Sequence, residues 1–207
     1  AAATELLRDE SESANREVYD QILSELRRVT STVEGLLRLA KPQPPHRTQV
    51  DMARVVREVT SLFGARLRRQ GVTLSTEIAE GVPALQLDSG LMVQLLMNLL
   101  TNSMQATDRG GSISVLIAPF PHRDGVVLAV SDTGRGIVPE NMERIFDPFF
   151  TTKEEGTGLG LPICRQIAEQ HGGTLEMQSE PGQGTRVMVL LPDQTAEERL
   201  DGSVAFG

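Results

Sequence analysis

Apolar positions along residues 15–41, NREVYDQILSELRRVTSTVEGLLRLAK, fall at Ile22, Leu26, Val29, Val33, Leu36 and Ala40, alternately four and three apart. This is an a/d seam nearly three heptads long with charged residues elsewhere, and it predicts a helix suited to pairing or to a bundle. One amphipathic helix packed on its own domain would satisfy the same pattern. The prolines of KPQPPHR, residues 41–47, end the helix, since each removes a backbone donor and disfavours helix in the residue before it. The stretch reads as a semi-rigid linker and a domain boundary.

Beyond it the period changes repeatedly. Asp51 can cap a helix running to about Gln70, and Gly71 can stop it. VTLSTEI alternates as a strand, SISVLIA and GVVLAVSD read as two more joined by PFPHRD, and TLEMQS and TRVMVLLP as a final pair. PENMERIF predicts a short helix with Pro at its start, and LPICRQIAEQHGG an amphipathic helix stopped at Gly172. Strands and helices in this order predict an α+β sandwich, with helices on one face of a mainly antiparallel sheet. The tail from Asp193 to Gly207 lacks periodicity and is expected to be disordered.

One predicted helix breaks its own pattern. In LMVQLLMNLLTNSMQAT, residues 91–107, Leu91, Leu95, Leu96, Leu99 and Leu100 form a wide apolar stripe, and Asp88 can cap its start. Asn98 and Asn102 lie four apart, so their amides project from one face, one turn above the other. Solubility alone would favour Glu or Lys there, because Asn is a mediocre helix former that competes for backbone hydrogen bonds. Two stacked amides therefore ask for a ligand.

Composition narrows the classes. Of 207 residues 39% are hydrophobic and 23% charged, ordinary for a globular chain, but only 3% are aromatic and none is Trp, so the core must be mostly aliphatic. A formal net charge of −8 argues against nucleic acid or anionic lipid as a partner. The single cysteine, Cys164, excludes an internal disulfide and reads as a small core residue. With no apolar run near the roughly 20 residues that span a bilayer, the chain is expected to be soluble and cytoplasmic.

Three later stretches have the wrong composition for plain scaffold. SDTGRGI puts Asp132 at the end of an apolar strand, where it can accept from a ligand's exocyclic amine, while Gly134 and Gly136 let backbone approach a flat ring. An ordinary Asp/Gly turn has the same residues. EEGTGLGLPI sets Gly156, Gly158 and Gly160 before a helix, a way of presenting amides to phosphate. PGQGTR adds a tight turn with Thr185 as a polar contact.

NLLTNSMQAT, DTGRGI, FDPFFTTK, GTGLGL and GQGTR resemble, in order and approximate spacing, the N, G1, F, G2 and G3 boxes of sensor histidine kinases. The short lid FDPFFTTKEEGTGLGL is similar to that of the nitrogen-regulation type. The resemblance covers residues 48 to about 192 and implies the Bergerat ATP-binding fold shared with gyrase, Hsp90 chaperones and MutL proteins. It further implies ATP and Mg²⁺ as cofactors, ADP as product, a response-regulator receiver domain as partner and a homodimer in the parent protein. By resemblance Asn102 supplies the protein oxygen to Mg²⁺ and Asn98 helps hold metal and phosphates; Lys153 in the lid is a candidate γ-phosphate contact, with a solvated surface lysine as the alternative reading. Asp132, Gly134, Gly136, Ile137, Phe146, Thr151, Thr152, Gly156, Thr157, Gly158, Leu159, Gly160, Leu161 and Thr185 complete the implied nucleotide contacts. In the related ATPases a Glu at the Asn98 position activates water; an amide cannot take that proton.

The family's phosphoacceptor is a histidine followed by an acidic residue on the first helix of a dimerising hairpin. His46, His122 and His171 do not fit it. AAATELLRDE resembles the stretch just after that motif and residues 15–41 the second hairpin helix, so the chain is expected to begin downstream of the acceptor. Residues 1–41 would be the partial hairpin, 42–47 the linker and 48–192 the catalytic domain. A serine-phosphorylating anti-sigma-type kinase and a non-catalytic dimerising scaffold are the rival readings; the heptad helix opposes the first and the intact boxes the second.

Overall fold

The computed structural model describes Tyr19, Leu26, Val29, Thr30, Val33, Gly35, Leu36, Leu37, Leu39, Lys41 and residues 43–120, 124–153 and 156–193. They belong to two compact units, Ala1–Pro42 and Gln43–Gly207. In the first, the described residues from Tyr19 to Leu39 are helical, and Leu26, Val29, Val33 and Leu36 of the heptad seam are 46–58% exposed. Ile22 and Ala40 of that seam, and the tail beyond Asp193, lie outside the described residues. No described helix is long and apolar enough to cross a membrane.

The second unit runs β1 (Thr48–Val50), α1 (Met52–Gln70), β2 (Thr73–Ile78), β3 (Leu85–Leu87), α2 (Ser89–Ala106), β4 (Ser112–Pro119), β5 (Gly125–Asp132), α3 (Pro139–Met142), α4 (Gly160–Gln170), β6 (Thr174–Glu180) and β7 (Gly184–Pro192). Helix α1 is bounded as its sequence dictates. The Asp51 carboxylate accepts from the Arg54 N–H, and Gly71, left-handed at φ 78°, closes the last turn on the Arg68 carbonyl. Helix α2 begins the same way, with Asp88 accepting from the Leu91 N–H.

Five strands form a sheet in the order β2-β4-β5-β7-β6, antiparallel except for the parallel β2–β4 pair. Helix α1 packs over β2 and β4, α2 over β5 and β7, and α4 over β6 and β7; α2 touches both other helices, so all three share one face. This is the two-layer Bergerat fold. The antiparallel pair β1–β3 adds a small second sheet that the sequence pattern does not announce, since three-residue strands show no readable alternation. PENMERIF is helical only over α3 and then continues in turns.

The core-facing rows decide where chemistry can occur. Cross-strand neighbours point to the same face, and Ile117, Leu128 and Val189 form one buried apolar row, with Val115, Val130 and Val187 beside it. The next row reads Ile113, Asp132, Thr185 and Ser179 across β4, β5, β7 and β6. At one end of the sheet the inward-facing positions turn from aliphatic to polar.

Candidate functional site

Asp132 is the inward-facing last residue of β5 and is only 9% exposed, so its carboxylate must find partners. Oδ1 accepts from the backbone N–H of Gly134 at 3.0 Å and of Thr185 at 3.2 Å. Oδ2 accepts from the Ser103 hydroxyl of α2 at 2.9 Å. The Thr185 and Ser179 hydroxyls bond at 2.9 Å, and Ser179 Oγ also accepts from the Ile137 N–H at 2.9 Å. The loop after β5 is thus tied to the sheet at Ser179 and to the end of α2, where the Arg135 N–H donates to the Ala106 carbonyl at 3.1 Å. Two glycines make this closeness possible. Gly136 sits at φ 67°, and a Cβ on it would run into the Glu180 carbonyl; a Cβ on Gly134 would meet the Ala106 carbonyl.

The stripe of α2 next to Ser103 carries the amides. Asn98 Nδ2 donates to the carbonyl of Gly160, the first residue of α4, at the long distance of 3.5 Å. Lys153 Nζ donates to Asn102 Oδ1 at 3.1 Å and to Gln105 Oε1 at 2.7 Å. Burial and the neighbouring Arg135 charge push the Lys153 ammonium down to about 8, against an opposing pull from Asp132. The lid segment folds on itself: the Lys153 N–H donates to Thr151 Oγ1 at 3.1 Å, the Gly156 N–H to the Lys153 carbonyl at 3.2 Å and the Phe149 N–H to the Gly158 carbonyl at 3.1 Å. Gly158, at φ 66°, lies so close to the Phe149 backbone that a Cβ would clash there.

The remaining residues singled out by sequence sit around these two clusters. Leu159 is buried, and its N–H donates to Thr157 Oγ1 at 3.4 Å. Leu161 is half-buried and Thr152 exposed. Phe146 stacks with α4, its ring centroid 3.6 Å from the Arg165 guanidinium carbon. Cys164 is fully buried, burial pushes its thiol up to about 12 and Sγ donates to the Leu95 carbonyl at 3.6 Å, which makes it a packing residue. A separate groove of about 970 Å³ between α1 and edge strand β2, lined by Arg57, Thr60, Gly64, Arg68 and Ile78, contains none of these groups.

A third cluster holds the far ends of the site helices. His171 is 1% exposed; Nδ1 donates to the Ile167 carbonyl at 2.7 Å, and Nε2 accepts from the Asp88 N–H at 3.0 Å, an arrangement that requires neutral imidazole. Burial holds its pKa below the ordinary value. For Asp88 burial works upward, but N–H donors from Leu91, His46 and Gly90, with His171 nearby, hold its carboxyl below the ordinary value. Residues before β1 join this cluster: the His46 N–H donates to Asp88 at 2.9 Å, Arg47 to the Gln170 carbonyl at 2.8 Å and the Gln170 amide to the Gln43 carbonyl at 3.1 Å.

Sequence reasoning missed Ser103, Gln105 and Ser179. Ser103 left a signal: it continues the Leu95–Leu99 stripe, where a buried hydroxyl needs a hydrogen-bond partner. Ser179 and Gln105 become visible only once strand register and the lid position are known.

A mixed sheet with helices on one face, closed by an Asn-bearing helix and a glycine-rich segment, defines an ATP-binding domain of the Bergerat type. Residues 87–195 match the family model described as Histidine kinase-, DNA gyrase B-, and HSP90-like ATPase, and the chain belongs to that family. It is 33% identical over 182 residues to Sporulation kinase E of Bacillus subtilis (strain 168), covering 87% of this chain and 24% of that protein. It is 35% identical over 165 residues to Sensor histidine kinase ZraS of Escherichia coli (strain K12), covering 80% and 35%. The chain spans between 24% and 41% of the length of such curated relatives. The catalytic domain of histidine kinase ThkA superposes with TM-score 0.65 at 32% identity, over 72% of this chain and 96% of that one. ThkA in complex with response regulator protein TrrA gives 0.71 at 28%, over 85% and 50%. Full-length ShkA in complex with AMPPNP gives 0.71 at 27%, over 79% and 35%. The second unit is therefore a histidine kinase ATP-binding catalytic domain.

Proposed function

We propose that this chain binds MgATP between α2, the loop after β5 and the start of α4, and transfers the γ-phosphoryl group to a histidine on a dimerisation hairpin. The phosphoryl group then passes to an aspartate of a response-regulator receiver domain. In this reading Asp132 accepts from the adenine amine, and the amides before α4 face the phosphates. The transfer forms a bond between imidazole nitrogen and Pγ and breaks the bond from Pγ to the bridging oxygen, releasing ADP. Such reactions depend chiefly on positioning and charge neutralisation.

The donor set suits a hard cation. Among the described residues no group of three or more His, Cys, Asp or Glu converges, so a metal here would rest on amide oxygen, phosphates and water, as Mg²⁺ does. Asn102 Oδ1 already faces a positive charge, the Lys153 ammonium, and would be the protein ligand. Bound there, Mg²⁺ would neutralise phosphate charge; Lys153 would then be freed toward the γ-phosphate.

The observation that carries the kinase reading is Asn98: an amide, unable to act as a general base, stands beside the first residue of α4. The exposed seam of Leu26, Val29, Val33 and Leu36 supports pairing of the hairpin helices in a homodimer. The test is incubation of the chain with γ-labelled ATP and a separately supplied hairpin carrying a histidine followed by an acidic residue. Label on that histidine is expected. Label on a serine of a partner would indicate the anti-sigma-type reaction, and absence of label a nucleotide-binding scaffold.

A further inference from the structure

We propose that Ser103 is a positioning residue that sets this site's preference for a 6-amino purine, by occupying the inner acceptor direction of Asp132 Oδ2 and leaving the outer one to the base. The inference rests on the reading that Asp132 meets the adenine amine. An ionised carboxylate offers about four lone-pair directions, two on each oxygen. The Gly134 and Thr185 amides take both on Oδ1, and the Ser103 hydroxyl takes one on Oδ2. One acceptor direction remains, and it can pair only with a donor.

Each partner is held independently of any ligand. Ser103 is 6% exposed on the buried stripe of α2, between Leu99 and Met104. Gly134 presents its main-chain donor from the loop after β5 and Thr185 from the start of β7. Without the hydroxyl, the inner direction of Oδ2 would face the core unpaired. No longer held by that donor, the carboxylate would turn away from the apolar core toward solvent, taking its outer acceptor direction out of line with the amine. Ser103 has no other role in this geometry that a purine amine could sense, so selectivity, rather than affinity in general, is the property it should control.

The test compares binding of ADP and of purine riboside diphosphate, which lacks the 6-amino group, to the 207-residue chain in Mg²⁺ by calorimetry. Ser103→Ala should reduce the ratio of the two affinities about tenfold, the loss falling on ADP alone. Ser103→Cys, a weaker donor of similar shape, should give an intermediate ratio and guards against misfolding of the Ala variant. Asp132→Asn is the control. Its oxygen is held toward Gly134 and Thr185, so its NH2 replaces Oδ2 and must abolish the preference. If Asp132→Asn abolishes the preference and Ser103→Ala leaves it unchanged, Ser103 is overturned as a positioning residue while the Asp132 reading stands. If Asp132→Asn changes nothing, the base does not meet Asp132 and both fall.

Discussion

Replacing Asn98 by Glu tests whether one amide separates a kinase from an ATPase. The structure lets the cost be worked out first. The lost hydrogen bond to the Gly160 carbonyl is long, 3.5 Å, so its removal belongs at the low end of about 0.5–1.5 kcal/mol. The new carboxylate, an acceptor only, would face that carbonyl oxygen, and the free N–H groups of the first turn of α4, which favour an anion by about 0.3–1 kcal/mol, would offset the repulsion in part. The balance is unfavourable but small, and the variant should fold with a stability loss of about 1–2 kcal/mol. What changes is chemistry: a carboxylate can take a proton from water, and general-base assistance is typically worth about 10²-fold to 10⁴-fold. Phosphate release from MgATP should therefore rise, even with imperfect geometry. The same carboxylate repels the triphosphate, so nucleotide affinity must be measured by calorimetry and release followed at saturation. A Glu variant that binds MgATP as tightly as the parent and releases phosphate no faster would refute the reasoning and leave Asn98 a structural residue.

Two further outcomes are expected. Gly184 sits at φ 101°, and a Cβ there would be driven into the Asp132 carbonyl; Gly184→Ala should cost at least about 2 kcal/mol in urea unfolding and weaken ADP binding by displacing the carboxylate. His171 is neutral in the fold with its pKa held below the ordinary value, so the unfolded chain takes up the proton first as pH falls below about 6.5, the usual histidine pKa. Stability should therefore decline from pH 7 toward the folded-state pKa and then level off, and in His171→Gln this component of the decline should vanish from denaturation midpoints taken between pH 8 and 5.

Much of the scaffold was legible because local chemistry and tertiary structure agree. Asp51, Asp88 and Gly71 mark helix ends that depend only on near neighbours. The alternation in SISVLIA follows from one buried face, and the apolar run of GVVLAVSD from a central strand buried at most of its positions. The parallel pairing of β2 with β4 was not legible, since alternation says which face is buried and nothing about strand direction. In the site, Asn98, Asn102, Asp132 and the glycines stood out because their residue types conflict with plain scaffold. Ser103 was legible only as a hydroxyl on the apolar stripe that needs a partner; which partner, the Asp132 carboxylate 2.9 Å away, depends on how α2 packs over β5. Lys153 was legible as a charged lid residue; its bond to Asn102 depends on how the lid lies over α2.

The attachment of Gln43, His46 and Arg47 to Gln170 and Asp88 bears on how such kinases are spliced together in the laboratory. A chimera that grafts a foreign sensor and hairpin onto this domain would ordinarily be joined at the end of the proline-rich stretch, just before Thr48. That junction would discard hydrogen bonds held at the cap of the asparagine helix and at the last turn of α4, and the transplanted domain would start with both loosened. A seam between Pro42 and Gln43 keeps them, so the five residues that look like a tether are better inherited with the catalytic module than with the donor hairpin.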